Sequence, residues 1–172
     1  MISEKLQNGV NDQINYEFYS AYIYFSMAQY FQSIDLPGFA QWMVVQTQEE
    51  LFHANKLAEY INERDGRVLM KTIDQPQLEW ASPLDAFEDA YKHEQEVSRR
   101  FDDLVAIARE ENDNATYNFL QWFVGEQVEE EASVKAVVQD LKMIGGEGHG
   151  LFVMNRELGQ RVVSIPVNGE GA

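Results

Sequence analysis

The chain has 172 residues, 45% of them apolar, which is enough for one domain with a sizeable core. Its 29 acidic residues against 13 Lys and Arg give a net charge of −16, which argues against a nucleic-acid partner and favours cations. Cysteine is absent, so disulfides, thiolate metal sites and iron–sulfur clusters are excluded, and any metal must take oxygen and nitrogen ligands.

Met1 to Gln13 alternates polar and apolar residues at helical spacing, without the basic start and apolar run of a signal peptide. No apolar stretch approaches the eighteen or so residues of a membrane span. The expectation is a soluble cytoplasmic protein with neither a membrane nor a nucleic acid as partner. Helix one is expected from about Ser3, an N-cap, to about Ser33, with a turn at Asp35-Leu36-Pro37-Gly38. Helix two follows from about Phe39 and stops at Asp65-Gly66. Residues 67–82 lack helical periodicity and contain Pro76. Fully extended, such a segment spans roughly 50 Å, about the length of a 30-residue helix, so it can carry the chain from one end of a bundle to the other.

Helix three opens with Ser82 as N-cap and Pro83 at the first helical position, Asp85 being placed to complete a capping box, and ends near Asn112. Helix four runs from about Asn114 to Gly145-Gly146, and Gly148 and Gly150 mark a flexible joint. A short fifth helix is expected at about 151–160 and a loose tail at about 162–172. The pattern is all-α: one domain over 1–172, with a four-helix bundle at about 3–145 and a long crossover between helices two and three. Phe39-Ala-Gln-Trp42-Met-Val44 recurs as Phe119-Leu-Gln-Trp122-Phe-Val124, each followed by paired acids, Glu49-Glu50 and Glu129-Glu130. The bundle therefore reads as two related hairpins.

The apolar stripe of each long helix is interrupted near its middle by Glu17, Glu50, Glu94 or Gln127. Positions seven apart on a helix lie only about 20° apart, so the interruptions can be checked by rotation. Glu17 shares its face with Val10, Ile14 and Tyr24; Glu50 with Met43, Leu57 and Ile61; Glu94 with Phe87, Phe101 and Val105; and Gln127 with Leu120, Phe123 and Val134. Position 50 follows 17 at the same spacing as 127 follows 94, which puts all four near mid-bundle. A buried, unpaired carboxylate is costly, and three at one height call for a cation. His53, one turn after Glu50, adds an imidazole to the same face, and a set of carboxylates with one imidazole suits iron or manganese. Two metal ions are expected, Glu94 completing the shell of the second ion. Tyr24 lies seven residues after Glu17, where its hydroxyl can reach the site and assist electron or proton movement; core packing is the plainer alternative.

Five segments carry a resemblance to a known family: Asn15-Tyr16-Glu17, Gln48-Glu49-Glu50-Leu51-Phe52-His53, Tyr91-Lys92-His93-Glu94-Gln95, Asn118-Phe119-Leu120-Gln121-Trp122-Phe123, and Glu126-Gln127-Val128-Glu129-Glu130. In these, and over nearly all its length, the chain resembles the bacterial non-haem ferritins. The resemblance implies a ferroxidase centre with Glu17, Glu50 and His53 on one iron, Glu94 on the second, Glu50 bridging, and Gln127 close to the first iron. It further implies a third, looser iron site at Glu49, Glu126, Glu129 and Glu130, with Glu17 shared or adjacent; the plain alternative for Glu129-Glu130-Glu131 is a solvated acidic face. The implied activity is oxidation of Fe(II) by dioxygen or hydrogen peroxide and storage of Fe(III) as a mineral inside a homo-oligomeric cage, a 24-mer.

Two departures separate the chain from the haem-binding bacterioferritins. Glu129 and Glu130 stand where a second Glu-x-x-His would lie on helix four, and Leu51 replaces the haem-ligating methionine, although Met27, Met43 and Met70 keep that reading open. A rubrerythrin-like di-iron peroxidase is the other rival, and this chain has no cysteine pair to feed one electrons.

Overall fold

The computed structural model describes residues 2–145 and 148–164; Gly146 of the expected helix-four stop and residues 165–172 of the expected tail lie outside them. Five helices follow in order: α1 (Glu4–Ser33), α2 (Pro37–Glu63), α3 (Pro83–Glu110), α4 (Asn114–Ile144) and α5 (Gly148–Leu158). The first four form the expected bundle. α1 packs chiefly on α2 and α3 chiefly on α4, so two hairpins face each other, with α5 laid across the α2 end.

Local chemistry accounts for the helix limits. Ser3 accepts from the Leu6 amide, Ser82 from the Asp85 amide and Asp113 from the Thr116 amide, three N-caps that satisfy otherwise orphaned donors. At the other ends, the amides of Leu36, Gly66 and Asp113 reach back to the carbonyls of Phe31, Ile61 and Ala108. The residue before each, Asp35, Asp65 or Asn112, takes a positive φ near 60°. These are Schellman closures in which a short polar side chain stands at the left-handed position usually given to glycine. Asp65, not Gly66, takes the left-handed conformation, and helix two ends at Glu63, just before the expected Asp65-Gly66 stop. It begins at Pro37, two residues before the sequence pattern suggested, and α5 begins at Gly148, so Gly148 and Gly150 open a helix instead of forming a joint.

The N-terminus of α2 has no side-chain cap of its own, since Leu36 occupies the cap position. Asn155 of α5 supplies one from a distance, its Oδ1 accepting from the amides of Gly38 and Phe39 at 2.8 and 3.3 Å. Gly38 is required there, because a Cβ would meet the Asn155 carbonyl oxygen at 1.5 Å.

The crossover runs in extended form alongside α1, in the same direction. Gln7 accepts from the Arg67 amide, Asn11 bonds the Arg67 carbonyl and the Leu69 amide, and Asn15 bonds the Leu69 carbonyl and the Lys71 amide. Further along, Ser26 donates to the Gln77 carbonyl, and Trp80 meets Tyr30 at 5.2 Å between ring centroids. Side-chain amides spaced four apart on α1 thus substitute for a neighbouring strand and satisfy backbone groups that would otherwise lie unpaired against a helix. The chain is thereby delivered to the top of the bundle, and α3 descends antiparallel to α1.

Two apolar clusters fill the bundle. One is built around Phe31, Phe39, Trp42, Phe87 and Leu141, the other around Leu6, Ile61, Phe101, Leu120 and Phe123. The layer between them is polar, and it holds the interruptions read from the sequence. Met27 and Met43 are core residues, whereas Met70 is exposed on the crossover. Among the described residues no helix is long and apolar enough to cross a membrane.

Candidate metal centre

Glu17 on α1 and Glu50 and His53 on α2 converge in the polar layer. Each offers a ligand atom, and these atoms lie within 4.8 Å of one another. All three are buried, Glu17 completely. Gln13, one turn before Glu17, donates to its Oε1 at 2.7 Å, while Arg100 of α3 donates to the Gln13 oxygen at 3.0 Å. The other Glu17 oxygen, Oε2, has no hydrogen-bond partner, nor has Glu50 Oε2, nor His53 Nδ1, which lies 3.7 Å from Glu50 Oε2. Aromatic edges fix the imidazole: Trp122 and Phe123 meet it at 5.6 and 5.8 Å between centroids.

Three buried side chains, each with an unpartnered polar atom and with ligand atoms within 4.8 Å of one another, fit a divalent cation with a preference for oxygen and nitrogen ligands. The charge balance agrees. Burial pushes the carboxyls of Glu17 and Glu50 well above the ordinary range; Glu50 adds to the rise at Glu17, and Glu94 adds to that at Glu50. Without a cation these groups resist ionisation. A bound one reverses that, because only the deprotonated forms are ligands.

Glu94 of α3 is fully buried beside this group, and both of its oxygens are engaged. The Tyr24 hydroxyl donates to Oε1, and the Gln127 amide donates to Oε2 at 3.1 Å. The structure places the Tyr24 hydroxyl on Glu94, whereas the sequence reading set Tyr24 on the face of Glu17 without naming its partner, and it places the Gln127 amide on Glu94 also, where the resemblance put Gln127 near the first iron. Burial, followed by the adjacent Glu94 charge, drives the Tyr24 phenol well above its usual value, so it holds its proton as a donor.

A second group of acids lines a cavity of about 400 Å³ that opens beside His53. Glu49, Glu126, Glu129 and Glu130 all face it, together with Phe52 and Trp122. These are the four positions expected for the looser site. Glu130 accepts from Gln46 Nε2 at 2.9 Å, and burial, then the Glu94 charge, lifts its carboxyl to about 7. Glu126 is raised in the same direction, mainly by burial.

Three contributors went unread in the sequence. Gln13 and Gln46 each stand four residues before a cluster glutamate, and the rotation that found Glu17 and Glu50 would have found them. Arg161, which contacts Glu49, lies beyond the bundle and left no periodic signal. His93 is no ligand: its Nε2 meets Ser20 Oγ at 2.7 Å, its ring stacks on Tyr16, and burial lowers it to about 4.

A bundle with this crossover and a mid-height layer of carboxylates defines a class, and comparison with known proteins agrees. The ferritin-like domain profile matches residues 7–144. The chain is 46% identical over 161 residues to a bacterial non-heme ferritin of Bacteroides fragilis, covering 94% of this chain and all of that one. A bacterial non-heme ferritin of Staphylococcus aureus is 40% identical, with 94% of this chain and 97% of that one covered. Among solved structures, the open-pore ferritin of the archaeon Archaeoglobus fulgidus superposes with a TM-score of 0.93 at 52% identity, covering 94% of this chain and all of that one. The chain belongs to the ferritin family.

Proposed function

We propose that this ferritin stores iron and has ferroxidase activity, with Fe(II) as its substrate and a ferric mineral as its product. Two ferrous ions each give up one electron. Dioxygen takes the pair with two protons to become hydrogen peroxide, or hydrogen peroxide takes it with two protons to become two waters. The observation that carries this reading is the group of buried, unpartnered acceptors at Glu17, Glu50 and His53 inside a ferritin fold.

Glu17, Glu50 and His53 hold one ion. Glu94 takes the second, with Glu50 bridging, and Gln127 orients Glu94. Anionic oxygen ligands stabilise Fe(III) more than Fe(II), since the harder and more charged ion gains more from them, so the site itself favours oxidation. Tyr24, donating to Glu94, is placed to move a proton or an electron at that oxygen. Glu49, Glu126, Glu129 and Glu130 form a looser third site in the adjoining cavity. The whole chain, 1–172, acts as one ferritin-like domain in the cytoplasm and assembles as a 24-subunit cage that encloses the mineral; the net negative charge draws Fe(II) toward it.

Aerobic addition of Fe(II) to the purified protein tests this, with ferric absorbance followed in time and iron and protein tracked together through a sizing column. Rapid oxidation with many irons per subunit co-eluting with a large assembly is expected. Oxidation that stops at two or three irons on a small oligomer would point to a peroxidase without storage. No acceleration over buffer would remove the site assignment.

A further inference from the structure

The segment that follows α5 returns to the bundle. The Arg161 carbonyl accepts from Gln41 at 3.4 Å, and its guanidinium lies 4.2 Å over the Trp42 ring and donates to the Trp42 carbonyl at 3.5 Å. From there Nη2 donates to Glu49 Oε2 at 2.7 Å, while the Ser164 amide donates to the other Glu49 oxygen at 3.2 Å. Both oxygens of Glu49 are thus engaged by one short strap. The pair is largely shielded, with the Arg161 side chain 20% exposed and that of Glu49 10%.

The position of this contact gives it a meaning beyond anchoring. Arg161 lines the same cavity as Glu49, Glu126, Glu129 and Glu130, and among the described lining residues it is the one side chain with a permanent positive charge. A guanidinium in a chamber of four carboxylates does what a bound cation would do there. An incoming metal ion can take Glu49 only by breaking a charge-assisted hydrogen bond and parting the guanidinium from its partner.

We propose that Arg161 is a built-in, displaceable counter-cation that sets the affinity of this cavity for metal and holds it below that of the buried Glu17–Glu50–His53 group. It is a specificity-determining residue acting through Glu49. The inference rests on the reading of the cavity as a metal site. It differs from simple tail anchoring in one respect: anchoring needs the contacts, whereas competition needs the charge.

The test is calorimetric titration of the full-length assembled protein with Zn(II), which binds such ligands without redox chemistry. Wild type, Arg161→Gln, Arg161→Lys, Glu49→Gln and the double variant Arg161→Gln/Glu49→Gln are compared. In wild type a tight event at the buried group precedes a weaker one. Arg161→Gln is expected to tighten the weaker event by about tenfold, the scale of one charge-assisted contact, and to leave the tight one unchanged. Arg161→Lys, which keeps the charge, should stay close to wild type. The gain should vanish when Glu49→Gln is the background, because the competition is for that carboxylate. A weaker event that stays within about twofold of wild type in Arg161→Gln, or that loosens, would overturn the proposal while leaving the metal reading intact. Absence of the tight event from wild type would instead remove the metal reading, and this inference with it.

Discussion

The protein carries two adjoining groups of acids, with His53 at the border of both, and they are in opposite states. In the inner group, Glu17, Glu50 and His53 are buried and keep acceptor atoms with no donor. In the cavity beside it, Glu49 is held by Arg161 and the Ser164 amide, and Glu130 by Gln46. Acid count does not distinguish the two; if anything the cavity is richer. Unmet hydrogen-bonding demand does, because a desolvated carboxylate without a partner costs several times what a solvated or paired one does. The inner group is where a cation is most needed, and it is expected to fill first.

The largest effect should separate the groups by activity. His53→Ala or Glu50→Gln alters a proposed ligand and is expected to slow the initial oxidation of Fe(II) by about 100-fold or more, whereas Glu129→Gln in the cavity should slow it by less than about tenfold. Stopped-flow ferric absorbance at two Fe(II) per subunit checks both. Equal losses at the two positions would erase the distinction.

The same substitution should act oppositely on stability. The metal-free fold must hold the buried Glu50 carboxyl protonated at a pH where the unfolded chain ionises it, and an amide removes that cost, so the metal-free Glu50→Gln protein is expected to melt about 4 °C higher than wild type near neutral pH. Glu126→Gln, at a half-buried position, should change little. Thermal melts in the presence of a chelator read this directly, and a lower melting temperature for Glu50→Gln would mean that the carboxyl carries no such cost in the metal-free fold.

A pH series sharpens the contrast. The folded-state carboxyls of Glu17, Glu50, Glu94 and Glu130 are all raised, burial being the first cause of each. As pH rises, the unfolded chain ionises these groups first, near 4.5, and the folded chain later, near about 7 for Glu130. Between those values the folded state binds more protons. Their contribution is therefore fully present below the unfolded value and lost as pH climbs through the folded one. The melting temperature of the metal-free protein should fall between about pH 5 and pH 8, less steeply in Glu50→Gln. Zn(II) should reverse the trend, since the ligands bind metal only when deprotonated.

The smallest effect belongs to an acid at the solvated extreme. Glu110 at the end of α3 pairs with Lys5 at 2.5 Å, both well exposed. Lys5→Ala should move the melting temperature by less than about 1 °C and leave oxidation unchanged.

Much of this is legible in the sequence. The four long helices, their Ser3 and Ser82 caps, the crossover and the mid-helix positions of Glu17, Glu50, Glu94 and Gln127 all follow from periods and caps that act over a few residues. What was not legible depends on partners far apart in the chain. Asn11 and Asn15 look like ordinary helix residues until the crossover passes beside them, and nothing near Leu36 announces that Asn155 will cap α2. The site divides the same way. Rotation on a helix found the ligand candidates, but whether an oxygen is orphaned depends on what the other helices bring to it, and the placing of Gln127 on Glu94 is a packing outcome. Arg161 is a case of the same kind, 112 positions along the chain from Glu49, as Asn155 is 117 from Gly38.

The most direct test is anomalous diffraction from crystals soaked anaerobically in limiting Fe(II). The first iron peak is expected between Glu17, Glu50 and His53, with Glu49 still paired to Arg161. A first peak in the cavity among Glu49, Glu126, Glu129 and Glu130, with the inner group empty, would contradict the claim that unmet hydrogen-bonding demand selects the site.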